Sequence, residues 1–121
     1  MEKLNWDLYY LNIAKSISVR ASCPRAYVGA VVVSKNGILS TGYNGAPSGE
    51  RECNQDGCVI ENEHCLRAVH AEMNAIGNLT ASTMNLDKLS IMVTLRPCYS
   101  CAKQLVNKGI KEIYYIWEYS H

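Results

Sequence analysis

Two residues of this chain, His70 and Glu72, constrain its local fold more tightly than any others. Positions two apart on an α-helix differ by about 200° around its axis, so in mid-helix these side chains would point to opposite sides. They can serve one site only if His70 stands at a helix cap or in the first turn. The helix is therefore expected to run from Ala71 to about Leu79. A second segment, Pro97-Cys98-Tyr99-Ser100-Cys101, carries a matching demand. Cys98 and Cys101 are three apart and share one face of a helix expected over 98–108. Pro97 suits the first turn of that helix, where its missing N–H costs nothing. Thiols near a helix N-terminus lie at the positive end of its dipole, which favours the thiolate.

Together the two segments supply an imidazole, two thiolates and a carboxylate. His70, Cys98 and Cys101 are candidate Zn2+ ligands, and three protein ligands leave a fourth tetrahedral position open to water, the mark of a catalytic zinc. Zinc lowers the pKa of such a water to about 7. Glu72 is the candidate to take its proton and hand it on. A Cys-x-x-Cys pair alone fits a redox couple or a structural zinc equally well. A redox couple needs no upstream His-x-Glu, however, and a zinc-stabilised binding module needs a fourth protein ligand that is not positioned nearby.

Helix and strand signals alternate along the chain. Trp6, Tyr9, Tyr10, Ile13 and Ile17 recur at helical spacing, predicting an amphipathic helix over about 5–21. Val28 to Ser34 and Ile38 to Tyr43 flank Lys35-Asn36-Gly37 and read as a hairpin. Residues 44–65 are too broken by glycine, proline and charge to predict regular structure. A loop that long in a small domain is usually functional or pinned. Strands are expected over Ser90–Leu95 and Glu112–Trp117, with Gly109 closing the helix between them. The order α-β-β-α-β-α-β implies an α/β fold, a three-layer α-β-α sandwich around a mixed sheet.

The 121 residues read as a single domain, 1–121, able to bury about two-thirds of its surface. A net charge of +1 without a basic cluster argues against a nucleic-acid partner. No apolar run reaches the roughly 20 residues that span a membrane. No basic segment followed by an apolar stretch opens the chain, so the expected location is the cytoplasm, or the host cytoplasm if the protein is virus-encoded. Six cysteines in that setting suggest metal binding before disulfides.

His-x-Glu followed by Pro-Cys-x-x-Cys resembles the signature of the zinc-dependent cytidine deaminase superfamily. Three further stretches, Cys23-Pro24-Arg25, Gly42 to Gly49 and Cys65 to Ile76, make the chain similar to deoxycytidylate (dCMP) deaminases from about Trp6 to Tyr115. The resemblance implies hydrolysis of dCMP to dUMP and ammonia, supplying thymidylate synthesis. It assigns His70, Cys98 and Cys101 to zinc and Glu72 to proton transfer, with the Ala71 backbone against the base. Asn44 matches an asparagine that hydrogen-bonds the sugar, although Asn-Gly also suits a plain turn. Arg25 is a candidate for the 5′-phosphate, for which an arginine fork is apt, and Tyr119 is a second; a solvated loop arginine is the alternative. A tRNA adenosine deaminase shares the zinc motifs but should carry a basic surface.

The resemblance also implies a homohexamer, activation by dCTP and inhibition by dTTP, with Mg2+ accompanying the triphosphate. Effector contacts would fall on Asn44, Gly45 and Gly49, where glycines let backbone N–H groups approach phosphates. Related enzymes often hold a second, structural zinc. Cys23, Cys53, Cys58 and His64 would make a closed Cys3His set here, leaving Cys65 as bystander. The alternatives are that Cys53 and Cys58 are loop thiols, Cys23 is a buried small hydrophobe, and His64 lies near the substrate phosphate. Larger members carry a further helix and strand, which are not expected within these residues.

Overall fold

The computed structural model describes residues 3–21, 27–45, 60–61, 64–65, 70–80 and 88–118. Helix α1 (Trp6–Ser18) opens at Asn5, whose side chain accepts from the Leu8 N–H at 2.9 Å. This is an N-cap of the usual kind. The helix stops short of the expected residue 21. Arg20 and Ala21 donate instead to the Ile17 and Ser18 carbonyls, the i→i−3 pattern of a tightening last turn.

Strands β1 (Gly29–Ser34) and β2 (Gly37–Tyr43) form the expected antiparallel hairpin, and Gly37 supplies a φ of 115° where the second strand begins. Two very short strands, β3 (Ile60–Glu61) and β4 (His64–Cys65), pair antiparallel. They lie in the stretch expected to lack regular structure, because two residues are too few to show a strand period. Helix α2 (Ala71–Gly77) and strand β5 (Leu89–Leu95) follow, then helix α3 (Tyr99–Asn107) and strand β6 (Ile110–Trp117). Strand β6 begins two residues before the expected Glu112, since pairing with β5 starts at Leu89↔Ile110 and absorbs Lys111 in an irregularity.

The sheet order is β2-β1-β5-β6, with β1 antiparallel to both neighbours and β5 parallel to β6. All six residues of β1 are buried, so both faces of the strand are covered. Ala30 and Val32 pack with Ile91, Val93, Ala71, Ala75 and Leu105 under α2 and α3. Val31 and Val33 turn the other way and meet Met92, Ala14, Ile13 and Ile17 under α1. The expected three-layer α-β-α arrangement and mixed sheet are thus present. Among the described residues no helix is long and apolar enough to cross a membrane.

Two glycines bring the layers together. A Cβ at Gly29 would overlap the Ala14 carbonyl and lie 2.7 Å from the Ser18 nitrogen, so α1 rests directly on the β1 backbone. A Cβ at Gly42 would overlap the Ala75 nitrogen and come within 2.5 Å of the Ala71 carbonyl. The first turns of α2 therefore sit on β2 at a distance that only glycine permits.

Candidate active site

Two helix N-termini meet above the sheet. His70 is the N-cap of α2 with extended dihedrals (φ −62°, ψ 148°), as its two-residue spacing from Glu72 requires. Cys98 is the N-cap of α3, also extended (φ −67°, ψ 163°), and its sulfur accepts from the Cys101 N–H at 3.4 Å. Cys98 was expected inside the helix and Pro97 in its first turn. Instead the helix starts at Tyr99, because Cys98 uses its sulfur as the cap, and Pro97 lies just outside. The two sulfurs still converge.

The His70 Nδ1 lies 3.1 Å from the Cys101 sulfur and 3.9 Å from that of Cys98. All three donor atoms fall within 4.8 Å of one another. Zinc bonds of about 2.3 Å to sulfur and about 2.0 Å to nitrogen place tetrahedral S···N neighbours about 3.5 Å apart. The observed pair brackets that value, so the donor set fits a zinc ion in both chemistry and spacing.

Glu72 occupies the first turn of α2 and is 4% exposed. Burial pushes its carboxyl above the ordinary value, against the lowering effect of a backbone hydrogen bond and of the Cys101 thiol. Burial likewise pushes the Cys101 thiol well above its usual range, helped by the neighbouring Glu72 carboxylate and by Cys98. Without a cation at their centre, burial favours the protonated form of both groups. A bound metal ion reverses that preference, because ligation needs the thiolate.

Helix α2 is held to β2 by side chains that sequence reasoning missed. Ser40 Oγ donates to the Ala75 carbonyl at 2.7 Å. Asn74 Nδ2 donates to the Tyr43 carbonyl at 2.7 Å, and Asn78 Nδ2 to the Thr41 carbonyl at 2.8 Å. The visible signal was the pair of asparagines four apart, a residue type that weakens helix interiors unless its side chain has another task. Asn44, at the end of β2, is buried; its Oδ1 accepts from the Val28 N–H at 2.8 Å and its own N–H donates to the Val28 carbonyl at 3.2 Å. Ala71 is the first residue of α2 and fully buried, and Gly45 is buried beside Asn44. His64 pairs through its backbone with Glu61. Cys23, Arg25, Gly49, Cys53, Cys58 and Tyr119 lie outside the described residues.

An imidazole and two thiolates at the mouths of two helices, with a buried glutamate beside them on an α-β-α sandwich, define a protein of the zinc-dependent deaminase class. Comparison with known families narrows this: residues 4–117 match the model of the cytidine and deoxycytidylate deaminase zinc-binding region, and the chain belongs to that family. It is 37% identical to ComE operon protein 2 of Bacillus subtilis over 98% of its own length, and spans 63% of that relative. It is 36% identical to the deoxycytidylate deaminase of Mycobacterium phage D29, covering 95% of this chain and 97% of the phage protein. The crystal structure of dCMP deaminase from cyanophage S-TIM5 with dCMP and dUMP superposes with a TM-score of 0.80 at 32% identity, over 98% of this chain and 86% of that one.

Proposed function

We propose that this protein hydrolyses dCMP to dUMP and ammonia. The observation that carries the reading is the meeting of His70, Cys98 and Cys101 beside the buried Glu72, in a chain similar throughout to an enzyme solved with dCMP and dUMP. His70, Cys98 and Cys101 would hold the zinc. Zinc there supplies Lewis acidity that makes water a nucleophile near neutral pH.

The chain's own residues do the rest. Glu72 would carry the first proton of the attacking water to the ring nitrogen, then the proton of the new hydroxyl on the ring carbon to the departing amine, so that the C–N bond breaks as the C=O bond forms and ammonia leaves. Its place in the first turn of α2 keeps it beside the ligand set without joining it. The Ala71 backbone would lie along the base, and Asn44 would hold the sugar through its amide, whose plane Val28 fixes. Arg25 would pair with the 5′-phosphate. On family resemblance we add dCTP activation and dTTP inhibition, with Mg2+ accompanying the triphosphate at Asn44, Gly45 and Gly49, and assembly as a homohexamer. A second zinc on Cys23, Cys53, Cys58 and His64 belongs to the same reading and rests on family resemblance and donor chemistry.

Ammonia release from dCMP, deoxycytidine, CMP and a tRNA stem-loop, each with and without dCTP, tests this. Turnover restricted to dCMP and sharpened by dCTP is expected. Turnover of the stem-loop, or of none of the four, would overturn it. Two zinc ions per purified chain are expected, and one would remove the structural site.

A further inference from the structure

The peptide that leads into Asn44 is gripped from both sides. Its carbonyl, that of Tyr43, accepts from Asn74 Nδ2 at 2.7 Å. Its N–H, that of Asn44, donates to the Val28 carbonyl at 3.2 Å, and Val28 in turn donates to Asn44 Oδ1 at 2.8 Å. Asn74 also closes the first turn of α2, its backbone N–H donating to the His70 carbonyl at 3.0 Å. One residue thus ties the cap that presents an imidazole to the strand end that presents Asn44. The bond needs a donor at this position, which an ionised carboxylate in place of the amide could not supply.

We propose that Asn74 is a positioning residue for the nucleotide sugar: by fixing the Tyr43–Asn44 peptide relative to α2, it aims the Asn44 amide at the sugar hydroxyl. The inference rests on the dCMP reading above. Asn74 does not touch the substrate in this account; it acts through Asn44. Its loss should therefore weaken binding while leaving Glu72 and the ligand set in place, because Ser40 and Asn78 still anchor α2 to β2.

The structure contains its own control. Asn78 makes the same kind of bond to the same strand, at Thr41, away from the Asn44 end. In Asn74→Asp the side chain can no longer donate when ionised, and a carboxylate faces the carbonyl. KM for dCMP is expected to rise about tenfold, the worth of one lost hydrogen bond to substrate, with kcat within about twofold. Asn78→Asp should leave both constants near wild type at a comparable loss of thermal stability. The discriminating readout is 2′,3′-dideoxycytidine monophosphate, which lacks the only free sugar hydroxyl of dCMP. With that substrate the KM difference between wild type and Asn74→Asp should vanish. Should Asn74→Asp fail to fold, Asn74→Ala carries the same comparison without the repulsive carboxylate.

An equal KM penalty on both nucleotides, a loss confined to kcat, or the same penalty from Asn78→Asp would overturn the positioning role while the dCMP reading stood. Wild-type protein inactive on dCMP would overturn the functional reading and this role with it.

Discussion

Gly42→Ala is a one-carbon test of how the site is built. The added Cβ would stand 2.5 Å from the Ala71 carbonyl and 2.9 Å from the Ala75 Cα, where ordinary contact begins at 3.4 Å. These neighbours, and the Ala75 nitrogen that lies closer still, are backbone, so no side chain can swing away, and α2 must retreat from β2 by about 1 Å. Such overpacking costs about 1–3 kcal/mol of stability. The displacement matters more at the helix mouth. His70 and Glu72 travel with α2, while Cys98 and Cys101 stay on α3. A shift of this size is large beside the 3.1 Å and 3.9 Å separations of His70 Nδ1 from the two sulfurs. A misplacement of roughly 1 Å can cost about a hundredfold in rate. Calorimetry, zinc content by mass spectrometry and steady-state dCMP turnover on one preparation read out all three effects. The expected result is a melting point lower by several degrees, less zinc and turnover down by one to two orders of magnitude. Full zinc with turnover within threefold of wild type would refute the view that Gly42 sets the seat of α2.

Glu72→Gln should retain zinc and fold yet lose roughly 10²- to 10⁴-fold in kcat, as expected when a proton carrier is removed and no ligand is touched. In the metal-free protein the same change should raise the melting point at neutral pH. A carboxyl with a raised folded pKa contributes most to stability when protonated, below its ordinary value of 4.5, and loses that contribution as pH rises through the raised value. The advantage of Gln over Glu should thus shrink to nothing as the melts are repeated toward acid pH. Gly77→Ala, in the last turn of α2 with open space where the Cβ would go, should stabilise by about 0.4–1 kcal/mol in a denaturant titration. Zinc removal by a strong chelator should abolish turnover and lower the melting point but leave the far-UV circular dichroism intact, because neither buried apolar cluster includes any of the three donors.

The legible parts of this chain were those where one residue type leaves few options. The spacing of His70 and Glu72 fixes the start of α2, and Asn36-Gly37 fixes a hairpin. The β-branched run of β1 signals burial but not that its two faces serve different helices, which follows only once α1 and α2 lie on opposite sides. Helix ends were less readable, since each is decided by distant groups. Helix α2 stops at Gly77, before Leu79, where the Asn78 side chain reaches Thr41 and the Leu79 N–H turns back to the Ile76 carbonyl. Within the site, the donors could be named from their motifs, whereas the bond from Asn74 to Tyr43 spans 31 positions and has no local signature.

Asn74 of α2 and Asn78 at its C-cap also govern what may join the sheet. Four residues of helix advance about 6 Å, and two residues of strand about 6.6 Å, so Asn74 and Asn78 match alternate carbonyls of β2. Among the described residues β2 is an outer strand, and the carbonyls of Thr41 and Tyr43 would otherwise invite a further strand to pair. With both occupied, this half of the border is closed to growth. Among the described residues, a strand that is to widen the sheet is left with the first half of β2 or, on the opposite flank, the outer strand β6.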